Sequence, residues 1–192
     1  MGHSYADAEQ LLNEWVQSES LRKHCLAVST SMRHMARRSG ADEEVWAIAG
    51  LLHDMDYERH PNLEHKDDAH PFVGVAYLRE HGWSEEICRG ILSHADYSHV
   101  EPISPMEKTL RAVDELSGFV TAATLVRPDK SIHSLEASSV KKKMKDKAFA
   151  RAVNRQDMLD GAAMIEMPLD DLIGEVITAL RGNAVALGLQ GQ

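Results

Sequence analysis

The sequence predicts an all-α fold, and three observations carry the prediction. Aromatic residues make up only 5% of the 192-residue chain while Ala, Leu and Met are plentiful, a balance that suits helices better than sheets. Apolar residues recur at three- and four-residue spacing over most of the length. Helix start and stop signals punctuate that pattern, and no alternating strand pattern, repeat or low-complexity tract interrupts it.

Taken in order, residues 6–18 set Leu11, Leu12 and Trp15 on one side, and the chain restarts near Ser20. Over 20–38, His24, Val28, Ser31 and Met35 recur at +4, +7 and +11, a single helical face that Gly40 terminates. Asp42 can cap the next helix, whose Val45, Ile48, Ala49 and Leu52 form an apolar stripe running into His53-Asp54. Residues 59–69, with Pro61 and many charges, read as a loop. Pro71 fits the first turn of a helix reaching about His81 and ended by Gly82. Ser84 can cap residues 85–95, where Ile87, Ile91 and His94 share a face. Ser104-Pro105-Met106-Glu107 has the composition of a capping box with Pro at the first helical position. That helix carries Leu110, Asp114, Ser117 and Thr121 on one side, so Asp114 points the same way as an apolar residue one turn earlier. Asn154 can cap a short helix, and Pro168 opens a last amphipathic one through Leu169, Leu172, Ile173, Val176, Ile177 and Leu180.

Composition narrows the function classes. The length suits one domain spanning 1–192 with a substantial core, and 43% hydrophobic with 27% charged residues argues against disorder. A net charge of −9 disfavours nonspecific binding to nucleic acid or to an anionic membrane, and no nucleic-acid-binding motif is present. Cys25 and Cys88 have no CxxC or zinc-ribbon spacing and read as reduced, partly buried apolar residues. There is no signal-peptide core or long apolar run, and Ala6 stands where a myristoylation site needs Ser or Thr. The expectation is a cytoplasmic protein with no nucleic-acid polymer and no membrane as partner, a homodimer remaining open.

His24, His53, Asp54, His70, His94 and Asp114 form the constellation that carries chemistry. Imidazole and carboxylate together bind first-row transition metals, whereas all-oxygen sites favour Mg²⁺ or Ca²⁺. The set therefore suits one or two divalent ions, from Mn, Fe, Co, Ni or Zn, with Mg at one position. Adjacent His53 and Asp54 lie roughly 100° apart on a helix, yet side chains splay around a concave opening at a helix end and can meet one metal or bridge two. A lone helical His is usually structural; the joint spacing is what points to a metal cage.

This pattern resembles the HD superfamily of metal-dependent phosphohydrolases over roughly residues 20–125, which implies an HD-type helical bundle followed by additional C-terminal helices over about 126–192. The resemblance implies that His24, His53, Asp54 and Asp114 hold a first metal and that His70 and His94, with Asp54, help hold a second. Val113-Asp114-Glu115-Leu116 is similar to the "ADEL" context around the last Asp in many bacterial members. Two departures stand out. His53-Asp54-Met55-Asp56 replaces the frequent His-Asp-Ile-Gly, and Tyr57 stands where members that cleave cyclic dinucleotides carry Lys. Asp54 is expected to be catalytic as well as a ligand. Glu58, one turn later, reads as a proton donor or a partner to a ligand, against the plainer reading of a solvated carboxylate at a helix end.

Residues 127–155 hold nine Lys or Arg against three Asp or Glu. Most of these read as a solvated helix face. The functional reading is that one or two of Lys130, Lys141, Lys142 and Arg155 lean over the metal site and hold a phosphate. The segment is similar to a C-terminal extension of a bacterial subgroup of HD-domain hydrolases. The function this implies is hydrolysis of a phosphate ester, a nucleotide or other small phosphorylated metabolite, by a metal-bound hydroxide. The alternative is a di-iron oxygenase of the same fold acting on a small polyol or phosphonate.

Overall fold

A computed structural model describes residues 2–61, 68–151 and 153–191. Much of the loop expected over 59–69 falls on residues 62–67, which lie outside the described residues. The described chain is all-α, and its helices begin and end where local chemistry dictates. Helix α1 (Tyr5–Trp15) starts in a capping box in which the Ser4 hydroxyl accepts from the Asp7 N–H and the Ser4 N–H donates to Asp7. Helix α2 (Glu19–Ser39) is capped by Ser18, two residues before Ser20, because Ser18 keeps extended backbone and accepts from the Leu21 N–H. Gly40 closes α2 in the left-handed conformation, φ 73°. Asp42 caps α3 (Glu43–Leu52) through the Glu44 and Val45 N–H groups.

Helix α4 (Phe72–Glu80) follows the His70-Pro71 bond, and α5 (Glu85–Ser93) is capped by Ser84. A 3₁₀ turn at Asp96–Ser98 leads to α6 (Pro105–Leu125), whose capping box joins Ser104 and Glu107 as its sequence suggests. Glu107 is buried and compensated, accepting also from the Ile103 N–H at 2.6 Å and pairing with Arg89 at 3.1 Å. Helices α7 (Ala137–Met144), α8 (Arg155–Met164), α9 (Leu169–Gly182) and α10 (Ala184–Leu187) complete the described chain. No described helix is long and apolar enough to cross a membrane.

The centre of the packing is α2, which lies along α3 on one side and α6 on the other. Close approach to α3 depends on Gly50, where a Cβ would lie 3.0 Å from the Ser29 Cα and 3.0 Å from the Met32 Cγ. The Ser29 hydroxyl also donates to the Ala47 carbonyl at 2.8 Å, and Ser31 and Ser117 share a buried hydroxyl contact of 2.9 Å between α2 and α6. Val28, Ser31 and Met35 are buried on the face that also carries His24, so the core itself aims that imidazole. The amphipathic α9 buries Leu172, Ile173, Val176, Ile177 and Leu180, as its spacing predicts.

Helix α8 crosses α6 at Gly161, where a Cβ would sit 2.6 Å from the Ala112 Cα. Backbone cannot yield as a flexible side chain can, so Gly161→Ala should force α8 off α6. The expected destabilisation is about 1–3 kcal/mol, read as a lower urea midpoint with an unchanged slope. Cys25 and Cys88 are both buried and free, and burial pushes the Cys25 thiol up to about 12. Thiolate is the reactive species. An aromatic disulfide reagent at pH 8 should therefore find no fast thiol in the folded chain and both after denaturation.

Candidate metal centre

The six predicted ligands arrive from five places in the chain and meet at one end of the bundle. His24 stands near the start of α2, His53 is the C-terminal cap of α3, and Asp54 begins the turn after it. His70 precedes α4, His94 caps the C-terminus of α5, and Asp114 sits in the middle of α6. Their ligand atoms form two groups, His24 with His53 and Asp114, and Asp54 with His70 and His94. The two groups share Asp54. Its Oδ2 lies 3.4 Å from the His53 Nε2 and 3.6 Å from the His24 Nε2, while its Oδ1 lies 3.2 Å from the His70 Nε2 and 3.7 Å from the His94 Nε2. Asp114 Oδ1 completes the first group at 3.1 Å from His24 and 3.3 Å from His53.

Hydrogen bonds fix which nitrogen of three imidazoles faces the centre. The Nδ1–H of His53 donates to the Gly50 carbonyl at 2.8 Å, and that of His94 donates to the Ile91 carbonyl. A carbonyl can only accept, so Nδ1 carries the proton and Nε2 presents a lone pair. His70 is held likewise by Asp56 Oδ1 at 2.7 Å. Asp56 is buried and also accepts from the Gly74 N–H at 2.6 Å, a contact that requires glycine because a Cβ there would lie 2.9 Å from the Asp56 Cγ. Gly118 faces the His24 ring, where a Cβ would make ordinary contact at 3.5 Å from Nδ1.

Lone pairs are thus driven against lone pairs. His70 Nε2 and His94 Nε2 stand 3.2 Å apart, and the fully buried His53 Nε2 makes no well-directed hydrogen bond among the described residues, with Asp114 and Asp54 oxygens at 3.3 and 3.4 Å. A proton or a metal ion between these nitrogens relieves the crowding. Burial opposes charge on Asp54 and Asp114, yet the neighbouring imidazoles, His53 foremost, hold both carboxyls below the usual carboxylate range. The same burial would push His24 and His53 down, but Asp114 and Asp54 raise them instead. The donor set of four imidazoles and two carboxylates therefore fits divalent transition-metal ions.

The ligands open onto a cavity of about 500 Å³. Its wall carries residues that the sequence pattern did not single out. Arg111 stands one turn before Asp114 and pairs with Asp96. Tyr57 packs edge-on against His70 with ring centroids 5.3 Å apart, and Tyr97 stands 6.5 Å from the same ring. Burial pushes the Tyr97 hydroxyl above its ordinary range. Burial, with Asp114 and Asp157 adding to it, pushes the Glu115 carboxyl up to about 7. Arg111 was within reach of the sequence, because a residue three before a ligand shares its helical face. Asp56 and Asp157 had no such signal, since their roles depend on contacts across 14 and 42 residues of chain, to His70 and Glu115.

The structure corrects five placements. Glu58 lies outside the cavity: its carboxylate accepts from the Gln17 and Ser18 N–H groups at 2.7 and 3.1 Å, satisfying the N-terminus of α2 rather than serving the metal site. Lys141 pairs with Asp170 of α9 at 2.6 Å. Lys142 lines a separate cavity, and Lys130 takes a left-handed turn conformation away from the centre, at φ 47°. Arg155 donates to the carbonyls of Ala150, Val153, Asp146 and Phe149 and lies over the Phe119 ring. Both terminal nitrogens are engaged by these carbonyls, and Arg155 is not among the described residues that line the cavity at the candidate centre.

The match to known proteins agrees with this geometry. A family model for the HD domain matches residues 21–118, and the chain belongs to that family. HD domains are in general metal-dependent hydrolases. Over 114 residues, 59% of this chain and 19% of the relative, it is 30% identical to Ribonuclease Y of Cutibacterium acnes. It is also 30% identical over 101 residues to Ribonuclease Y of Oleidesulfovibrio alaskensis, covering 53% of this chain and 18% of the relative. The match spans about a fifth of the length of these curated relatives. No solved structure matches.

Because Asp54 serves both ligand groups and His94 only one, the two substitutions should differ. Asp54→Ala is expected to abolish tight metal binding altogether. His94→Ala should retain metal at the His24, His53 and Asp114 group and lose the rest. Metal content of desalted protein by plasma mass spectrometry distinguishes them, and equal loss in both would break the shared-carboxylate arrangement.

Proposed function

We propose that this chain is a metal-dependent phosphohydrolase acting on the phosphate ester of a small molecule. The observation that carries the reading is the Asp54 carboxylate, one oxygen toward His24 and His53 and the other toward His70 and His94, opening onto a cavity of about 500 Å³, a size that suits a small ligand. His24, His53, Asp114 and Asp54 would hold one divalent ion, and Asp54, His70 and His94 a second. Such ions, when bound, supply Lewis-acid stabilisation of charge on a phosphoryl group and make water a stronger nucleophile near neutral pH.

The protein's own part is positioning. Arg111 is the cationic side chain of the cavity wall, and its pairing with Asp96 steadies the guanidinium against the phosphoryl oxygens. Tyr57 and Tyr97 confine the ester on the His70 side. Glu115, a cavity carboxyl outside both ligand groups, stands in the place expected of Glu58 and is our candidate to pass a proton to the leaving group.

A second reading is cleavage of an RNA phosphodiester, supported by the similarity to two proteins named Ribonuclease Y. Against it stand Asp96 and Asp157 on the cavity wall, which repel a polyanion. The same relatives favour phosphate chemistry over the oxidative alternative.

The test is a panel of nucleotides, cyclic nucleotides, dinucleoside polyphosphates, sugar phosphates and a short end-labelled RNA, with Mn²⁺, Co²⁺, Mg²⁺ and Fe²⁺ in turn. Phosphate release that requires metal and vanishes in Asp54→Ala is the expected result. RNA cleavage without small-molecule turnover would favour the second reading. No turnover of any kind by metal-loaded protein would sink both. On the substrate so found, Arg111→Ala should lower kcat/KM about 10- to 100-fold, the loss of one charge-assisted contact.

A further inference from the structure

The lysine-rich segment has a use that the metal centre does not absorb. Ser139, Lys142 and Lys143 are spaced at i, i+3 and i+4 on α7, so they share one face. That face borders a cavity of about 320 Å³ between α7 and the C-terminal end of α6, with the buried Ala123 and Leu135 as its apolar floor. Arg127 enters from the turn after α6. Its Nε donates to Asp129 at 3.1 Å and its Nη2 to the Ser134 hydroxyl at 2.9 Å, which leaves Nη1 without a protein acceptor among the described residues. The Lys142 ammonium pairs with no carboxylate among the described residues, and the Lys143 ammonium sits 5.0 Å over the Phe149 ring. Asp146 is the one acidic side chain among the lining residues described, and its Oδ1 already accepts from the Ala148 N–H at 2.9 Å.

We propose that this cavity is a second anion-binding site, built for a phosphoryl or similar dianionic group carrying a small apolar portion, and separate from the metal centre. Three cations line the cavity against Asp146 within it and Asp129 paired to Arg127 beside it, a local excess of positive charge in a chain whose net charge is −9. A hydroxyl and a steadied guanidinium supply directional donors, while two flexible ammonium groups supply charge. Asp114 and Ala123 lie nine residues apart on α6, roughly 13 Å along its axis, so one phosphoryl group cannot occupy both sites.

The test is calorimetric titration of the full chain with inorganic pyrophosphate, as purified and again after EDTA treatment, which removes binding through metal ions. One saturable event should survive EDTA. Lys142→Glu with Lys143→Glu should weaken it at least tenfold. Lys130→Glu with Lys145→Glu, the same change of net charge off the cavity, should leave it within about twofold. Thermal denaturation of each variant confirms folding, and Ser139→Ala, which changes no charge, serves as the milder variant with an expected weakening of a few-fold. Absence of a saturable event after EDTA overturns the proposal, as does equal weakening by the two charge-reversal pairs.

Discussion

The arrangement of this protein rests on three imidazole Nδ1 protons. His53 and His94 give theirs to carbonyls of the helices they cap, and His70 gives its own to Asp56. Each bond turns a ring so that Nε2 has nowhere to point except toward the other ligands. The result, with two ring nitrogens 3.2 Å apart and the His53 Nε2 close to two carboxylates without a well-directed hydrogen bond, is unfavourable in isolation. A divalent ion held there would relieve it, and metal binding would then add to folding stability.

The helices are spaced to serve that end. The α2–α3 contact at Gly50 and the α6–α8 contact at Gly161 bring backbones closer than any side chain would permit. Glycine is used at Gly74 for a different purpose, to make room for Asp56. The close contacts thus divide between those that draw helices together and those that orient ligands. The Ser31–Ser117 contact ties α2 to α6, and one face of each helix brings His24 and Asp114 within 3.1 Å.

Much of this was legible in the sequence. Capping signals at Asp42, Ser84, Ser104 and Asn154 act locally, so a few consecutive residues suffice to read them. The six residues of the candidate centre stood out because a metal site constrains residue type as well as spacing, and the structure brings them together in two groups. The basic segment was misread because its charge density says nothing about direction. Lys141 and Lys142 are neighbours, yet one pairs with α9 while the other faces a cavity. Arg155 was misread for the same reason, since four carbonyl acceptors from residues 146–153 appear only once the chain has turned back on itself. Glu58 looked catalytic by its distance from Asp54 along a helix, but α3 ends at Leu52 and the turn redirects it to α2.

Electrostatics separates the two cavities of this acidic chain. Around the metal centre, Asp54, Asp114, Asp96, Glu115 and Asp157 outnumber Arg111. On the proposed function, a phosphate approaching that wall would meet net repulsion unless divalent charge were already in place, so the metal would help admit the substrate as well as activate it. The basic residues that a phosphate would otherwise seek are displaced beyond the end of α6, where they cannot neutralise the ligand carboxylates or compete with the ions for them. Keeping ammonium groups away from Asp54 and Asp114 preserves their affinity for a divalent cation. The fold therefore gathers its lysines in the outer cavity and leaves the inner one with Arg111 and the candidate metal ligands.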